Sequence, residues 1–172
     1  QDNVQRIGVI AGSLRIAVNT QVSSIRAGQQ YDLKTLQTSP FAESDPWYLW
    51  QFNGAGQAQI EAVSGSVTLQ GPAGSHAVQP VEDLQPGQVL ITAENSWAEV
   101  GFTGGGYLRL QPNSALSVLS VEKTSRGREV QLKLLRGSAW NVVSKGQGGY
   151  QITTPTVTTA VRGTTFRVDA SG

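Results

Sequence analysis

The chain lacks cysteine and methionine altogether, and only 15% of its 172 residues are charged. The absence of cysteine excludes disulfide bonds and thiolate metal sites. No apolar run approaches the roughly 20 residues that span a bilayer, so the sequence predicts no transmembrane segment. The formal net charge of +1, with no basic stripe, argues against a nucleic-acid binder. The chain begins at Gln1 rather than at methionine. We therefore expect that a signal peptide has been removed, although a trimmed longer chain would look the same.

Low charge is accompanied by 20 glycines and 7 prolines, a composition that favours short strands joined by turns over helices. Apolar and polar residues alternate with a period of two in several segments, and we count about sixteen short strands in all. The sequence therefore predicts an all-β domain. Clear alternation occurs at 13–18, 66–69, 107–110, 129–134 and 164–168. We expect Leu108, Leu110, Leu132, Leu134, Val161, Phe166 and Val168 to be buried.

One short helix is predicted from Pro46 to Asn53, after a connecting loop from Gln37 to Ser44. Asp45 can cap the helix, proline suits the first helical position, and Gly54 can end it. Its two tryptophans, Trp47 and Trp50, either cover the open end of the β core or form an aromatic platform for a sugar or a peptide. Trp97 is a further candidate for such an interaction.

A repeated pattern places Gly-Ser between two apolar strands at 12–13, 65–66 and 137–138. The first two copies are also followed by similar turns, at 25–30 and 84–89. We interpret each glycine as a sharp bend between two short strands. Short strands bent at glycine favour a β-solenoid or β-roll, with a β-sandwich as the alternative.

No catalytic, cofactor or metal site can be assembled from the sequence. His76 is the only histidine and lies in a polar segment, where we expect an exposed loop residue. The acidic residues are isolated from one another, so no glycosidase pair can be assigned. These observations predict a protein that is not an enzyme and that needs no cofactor.

The segment from Thr154 to Val168 reads TP-x-V-x-x-A-V-R-G-T-x-F-x-V. This run resembles the signature of the FecR-like domain, and the resemblance extends over residues 60–168. The resemblance implies a bacterial extracytoplasmic module, whose best-known members lie in the periplasm. They relay a signal from an outer-membrane receptor to a membrane-bound partner. The structural motif would comprise Arg162, Gly163, Thr164 and Phe166.

Arg162 is the charged residue of most interest in this block. Its forked donors could tie loop carbonyls or a carboxylate together, as a structural clamp. The alternative is a contact with an anionic ligand.

In the FecR-like family, the R-G-T-x-F-x-V strand is followed by a strand, a glycine bend, another strand and an A-G-Q turn. Here the similar segment is residues 5–36, at the opposite end of the chain. The resemblance therefore implies one permuted domain over 1–172, with N-terminal strands (5–36), a loop and helix (37–57) and a main region (60–168). The N-terminal strands either return to their own C-terminus or complete a neighbouring molecule by head-to-tail strand exchange.

The function that fits these features is a non-enzymatic exported module of the bacterial cell envelope, acting in protein interaction or structural assembly. Two alternatives stay open, a periplasmic signal-relay domain and a carbohydrate-binding module. The expected partner is a protein or a second copy of the chain, with cell-wall polysaccharide as the other class. The expected location is the periplasm or the cell surface.

Overall fold

The computed structural model describes residues 5–18, 21–42, 58–102, 106–124, 127–145 and 148–171. These residues contain seventeen β-strands and no helix, so the prediction of an all-β fold is confirmed. The predicted helix from Pro46 to Asn53, with Trp47 and Trp50, lies outside the described residues.

The first nine strands are β1 (Arg6–Ala11), β2 (Ser13–Val18), β3 (Gln21–Arg26), β4 (Gln29–Asp32), β5 (Gln37–Pro40), β6 (Ala58–Ser64), β7 (Val67–Gly71), β8 (Gly74–Ala77) and β9 (Glu82–Asp83). The other eight are β10 (Val89–Thr92), β11 (Trp97–Phe102), β12 (Tyr107–Leu110), β13 (Ala115–Thr124), β14 (Gly127–Val142), β15 (Tyr150–Thr153), β16 (Thr158–Val161) and β17 (Thr165–Ala170).

Strand pairing joins all seventeen strands into one sheet that consists of two ladders sharing the long strand β14. The first ladder runs β5-β4-β1-β17-β14-β12-β11-β6-β9. The second runs β8-β7-β10-β13-β14-β15-β16-β2-β3. Every described pairing is antiparallel except that of β14 with β15.

Both ladders contribute to the main hydrophobic core, and a smaller buried cluster contains Tyr107 and Trp140. The predicted alternation is present in the burial of the strands, and all seven residues expected in the core are buried. Tyr150 of the second ladder meets two aromatic rings of the first at right angles. Its ring centroid lies 6.0 Å from that of Phe102 and 6.3 Å from that of Phe166. Edge-to-face contacts of this kind tie the two ladders together.

The three repeated glycines are bends, as predicted. Gly12, Gly65 and Gly137 have φ angles of 81°, 75° and 82°, a region that side chains rarely adopt. Gly12 lies between β1 and β2, Gly65 follows β6 before β7, and Gly137 lies within β14. At each of these corners the chain leaves one ladder and enters the other.

The two repeated turns are also alike in their hydrogen bonds. The side-chain oxygen of Gln29 accepts a hydrogen bond from the Arg26 amide at 2.9 Å. In the other turn, the side-chain oxygen of Gln88 accepts one from the Gln85 amide at 2.7 Å. The sequence similarity of 25–30 with 84–89 therefore reflects the same local structure.

The first part of the predicted loop at 37–44 is instead a strand, β5, which pairs with β4 through residues 37–40. All four of its side chains are exposed. The strand therefore lacks the buried apolar positions that alternation detects, and only backbone pairing reveals it. Pro40 is tolerated because β5 has no described neighbour on its other side.

Candidate functional site

The signature block from Val161 to Val168 forms the corner between β16 and β17. Gly163 has a φ of 62° and directs the chain from the second ladder into the first. The next strand places Phe166 and Val168 in the core with no exposed surface. The block therefore contributes packing and a bend.

Thr164 connects this block to the N-terminal part of the chain. Its side chain is buried, and its hydroxyl donates a hydrogen bond to the carbonyl oxygen of Ser13 at 2.8 Å. A Cβ atom on Gly12 would lie 2.7 Å from the carbonyl oxygen of Gly163, so the two corners touch. The strands on either side also pair, β1 with β17 and β2 with β16. In this structure the N-terminal strands thus return to their own C-terminus.

The other two Gly-Ser corners are held in a similar way by a hydroxyl from a distant segment. The Ser96 hydroxyl oxygen accepts a hydrogen bond from the Ser66 amide at 2.9 Å. The Ser114 hydroxyl oxygen accepts one from the Ser138 amide, also at 2.9 Å. Sequence reasoning identified the three glycines but missed these hydroxyls. The signal was present, because Ser114 ends the Pro-Asn-Ser run and Thr164 follows Arg-Gly in the signature block.

Arg162 is exposed, in contrast to the buried Val161 and Thr164 on either side of the corner. The exposure of Arg162 favours an ordinary surface side chain over the clamp, and mutation can decide between the two.

The outer face of the first ladder carries a polar and aromatic group that we call the Trp97 cluster, formed by Glu61, Trp97, Glu99, Tyr107 and Arg109. The guanidinium carbon of Arg109 lies 4.7 Å from the centroid of the Trp97 ring. The Nε atom of Arg109 is 3.0 Å from a carboxylate oxygen of Glu99, its direct partner across β11 and β12. Such cation–π stacking orients both the ring and the guanidinium.

Burial shifts two titrations in the Trp97 cluster. The pKa of Tyr107 is raised by burial and by the hydrogen bond that its hydroxyl makes with Glu99. Burial also raises the pKa of Glu61, whose Oε1 atom is buried and has no hydrogen-bond partner among the described residues. Of the five residues, the sequence analysis had singled out only Trp97 as an interaction candidate.

A second stack lies farther along the same ladder. The ring of Trp140 is 5.7 Å from that of Phe41, and the guanidinium carbon of Arg167 lies 5.8 Å from the Trp140 centroid. Arg167 is also held by Asp169, whose carboxylate oxygen lies 2.8 Å from a terminal guanidinium nitrogen. Trp140 itself is buried, so Arg167 and Asp169 present the polar edge of this stack.

The remaining polar features of the described residues include His76 and an open cleft. His76 lies on strand β8 rather than in a loop, and its ring nitrogen is 2.6 Å from Glu82. Across the described ranges, no group of three or more histidines and acidic residues could hold a metal ion. An open cleft of about 510 Å³ is lined by Gln5, Val18, Leu33, Lys34, Thr156, Val157 and Ser171.

Residues 88–172 match the family model of the FecR protein. This part of the chain is a FecR domain. The FecR family is a regulatory signalling family and is not known for enzymes, and its domains are typically extracytoplasmic. No curated protein and no solved structure matches the chain. None of the described segments is a helix long and apolar enough to cross a membrane.

Proposed function

We propose that this chain is an extracytoplasmic domain that relays a signal by contact with a protein partner. The observation that carries the proposal is the FecR match over residues 88–172. That match favours the signal-relay alternative of the sequence analysis over the structural assembly module. It also agrees with a non-catalytic role, because the family is regulatory.

The geometry supports a role for the surface rather than for the signature block. Gly163 forms a bend, and Thr164 and Phe166 are buried, so these residues offer little surface to a partner. The partner must therefore be recognised by residues on the outside of the sheet. We infer that the Trp97 cluster and the neighbouring Arg167 form the contact surface, since tryptophan and arginine are enriched at the energetic centres of interfaces.

The same cluster is less suited to a carbohydrate. A sugar ring stacks on an open aromatic face, whereas Arg109 lies over the ring of Trp97. A carbohydrate would have to displace a guanidinium that also lies 3.0 Å from Glu99. We therefore propose a protein, rather than cell-wall polysaccharide, as the partner.

We also infer that the domain is permuted and that the two ladders form the layers of a sandwich. The N-terminal strands lie where the family order would place the continuation of β17. Antiparallel pairing and a core shared by both ladders support the β-sandwich over the β-solenoid. In a β-solenoid, the strands of successive coils would pair in parallel.

The proposed function can be tested in the native host by photo-crosslinking and transcript measurement. A photo-reactive amino acid replaces Arg167, which lies beside the Trp97 cluster, or Leu119, which is 48% exposed on β13 of the other ladder. We expect crosslinking from position 167 to a different membrane-anchored protein, with far less from position 119. Deleting the chromosomal segment for residues 88–172 should change the transcription of a defined gene set. Crosslinking to no protein, together with unchanged transcripts, would refute a signal relay.

A further inference from the structure

The two ladders end in four edge strands, and three of them are protected against pairing with another chain. Strand β5 contains Pro40, β9 has only two residues, both acidic, and β8 is a short strand that begins at Gly74. Proline, short length and charge are the usual means by which proteins blunt sheet edges. In contrast, β3 runs for six residues without proline, glycine, lysine or an acidic residue.

On its free side, β3 presents the backbone groups of Val22 and Ser24 to a further strand, whereas the Arg26 amide is already bonded to Gln29. The Arg26 amide donates to the side chain of Gln29, so it points away from β2. Because backbone direction alternates along a strand, the amides and carbonyls of Ser24 and Val22 point the same way. Among the described strands, β3 pairs in register with β2 alone. The side chains of Ser24 and Val22 are also exposed, and the exposed fraction of Val22 is 61%.

We propose that two copies of this chain pair through β3, antiparallel and about a two-fold axis at Ser24. This register places Ser24 opposite its own counterpart and Val22 opposite Arg26 of the second copy. It keeps the buried faces of the two sheets on the same side, because the paired residues have the same parity. The inference deepens the proposed function, on which it rests, by naming a second copy as one protein partner.

Charge favours a second copy as the occupant of this edge. No like charges stand directly opposite each other in the β3 pair, and the aliphatic part of Arg26 can cover the exposed Val22. Self-pairing of β9 would instead oppose Glu82 and Asp83 to acidic residues of the second copy. An isologous contact of this kind closes as a dimer and does not grow into a filament.

The interface is small, so the dimer should be weak. A single strand pair buries less than the roughly 1,200 Å² of a stable interface. We therefore expect a weak association, with a dissociation constant on the order of 10–1,000 μM. The association should therefore appear in concentration-dependent measurements of the intact chain rather than as a permanent dimer.

Two variants at Ser24 test the pairing by sedimentation velocity. Ser24→Pro removes the outward amide while leaving the ladder with β2 intact, and Ser24→Thr keeps the amide. We expect the unmodified chain and Ser24→Thr to dimerise as concentration rises, and Ser24→Pro to stay monomeric with an unchanged melting temperature. A monomeric unmodified chain at about 1 mM would overturn the proposal, as would equal dimerisation of folded Ser24→Pro.

The absence of native cysteine allows a second test that does not depend on proline. In the proposed register the two position-24 Cα atoms are about 5.5 Å apart, within the range that a disulfide spans. Ser24→Cys should form an intermolecular disulfide under mild oxidation much faster than Ser75→Cys, which is also exposed but lies on β8. Equal rates would refute self-pairing. The crosslinking test of the proposed function would still stand in either case.

Discussion

Removing one hydroxyl from the core should show how strongly the buried polar pair of Tyr150 and Asn141 stabilises the fold. The Tyr150 hydroxyl donates to the side-chain oxygen of Asn141 at 2.6 Å, and Asn141 has no exposed surface. In Tyr150→Phe the ring keeps its contacts with Phe102 and Phe166, but the Asn141 oxygen loses its donor. Leaving a buried acceptor unsatisfied costs about 1–3 kcal/mol, whereas removing the whole aromatic side chain costs about 3–5 kcal/mol.

The assay is urea unfolding at 25 °C followed by circular dichroism, with the free energy of unfolding extrapolated to water. Tyr31→Phe is the matched control, because the Tyr31 hydroxyl accepts a hydrogen bond from the partly exposed Ser23 at 3.2 Å. We expect its loss to be under about 1 kcal/mol. Adding Asn141→Leu to Tyr150→Phe should recover part of the loss, since replacing both partners by apolar groups is nearly neutral. A Tyr150→Phe change no larger than that of Tyr31→Phe would refute this reasoning.

Three further predictions concern the corners, alkaline pH and the exposed arginine. Gly12→Ala should destabilise the protein more than Gly87→Ala in the same urea assay. An alanine with φ near +80° costs about 1–2 kcal/mol at either position. Of the two, only a Cβ on Gly12 would also meet a backbone oxygen, so equal losses would contradict that contact. Burial raises the pKa values of Tyr107 and Tyr150 in the folded chain. As the pH rises above 10, their phenol protons therefore dissociate from the unfolded chain before they dissociate from the folded one. Stability should then fall by about 1.4 kcal/mol per pH unit for each tyrosine, and flat stability between pH 10 and 11 would exclude this. Arg162→Ala should change the free energy of unfolding by no more than about 0.5 kcal/mol, as at other exposed positions. A loss of about 2 kcal/mol or more would instead support the role of Arg162 as a clamp.

Much of the local structure was predictable because it depends on neighbouring residues. Alternation marks strands such as β12 and β17, since side chains point to opposite faces with a period of two. Glycine at 12, 65 and 137 marks bends, since only glycine adopts those φ angles freely. Strand β5 was missed because none of its side chains is buried.

Long-range structure was only partly accessible for the opposite reason. Thr164 and Ser13 are 151 positions apart, and the sequence around either residue does not predict their hydrogen bond. The prediction that 5–36 lies beside the C-terminal strand came from the family resemblance and not from periodicity. The Trp97 cluster was missed because Glu99 and Arg109 become neighbours only through the pairing of β11 with β12.

The position of the signature block explains why the family is easier to recognise than the partner. Thr164 and Phe166 specify the corner and the core, so they identify any chain that builds this fold. A partner meets the outside of the sheet, where Trp97, Arg109 and the edge of β3 lie. Substitutions there leave the corner and the core unchanged, so chains sharing the signature can differ in what they bind. The partner must therefore be sought with variants of the outer face and of the β3 edge, since variants of the buried Thr164 or Phe166 would destabilise the domain before they reported on binding.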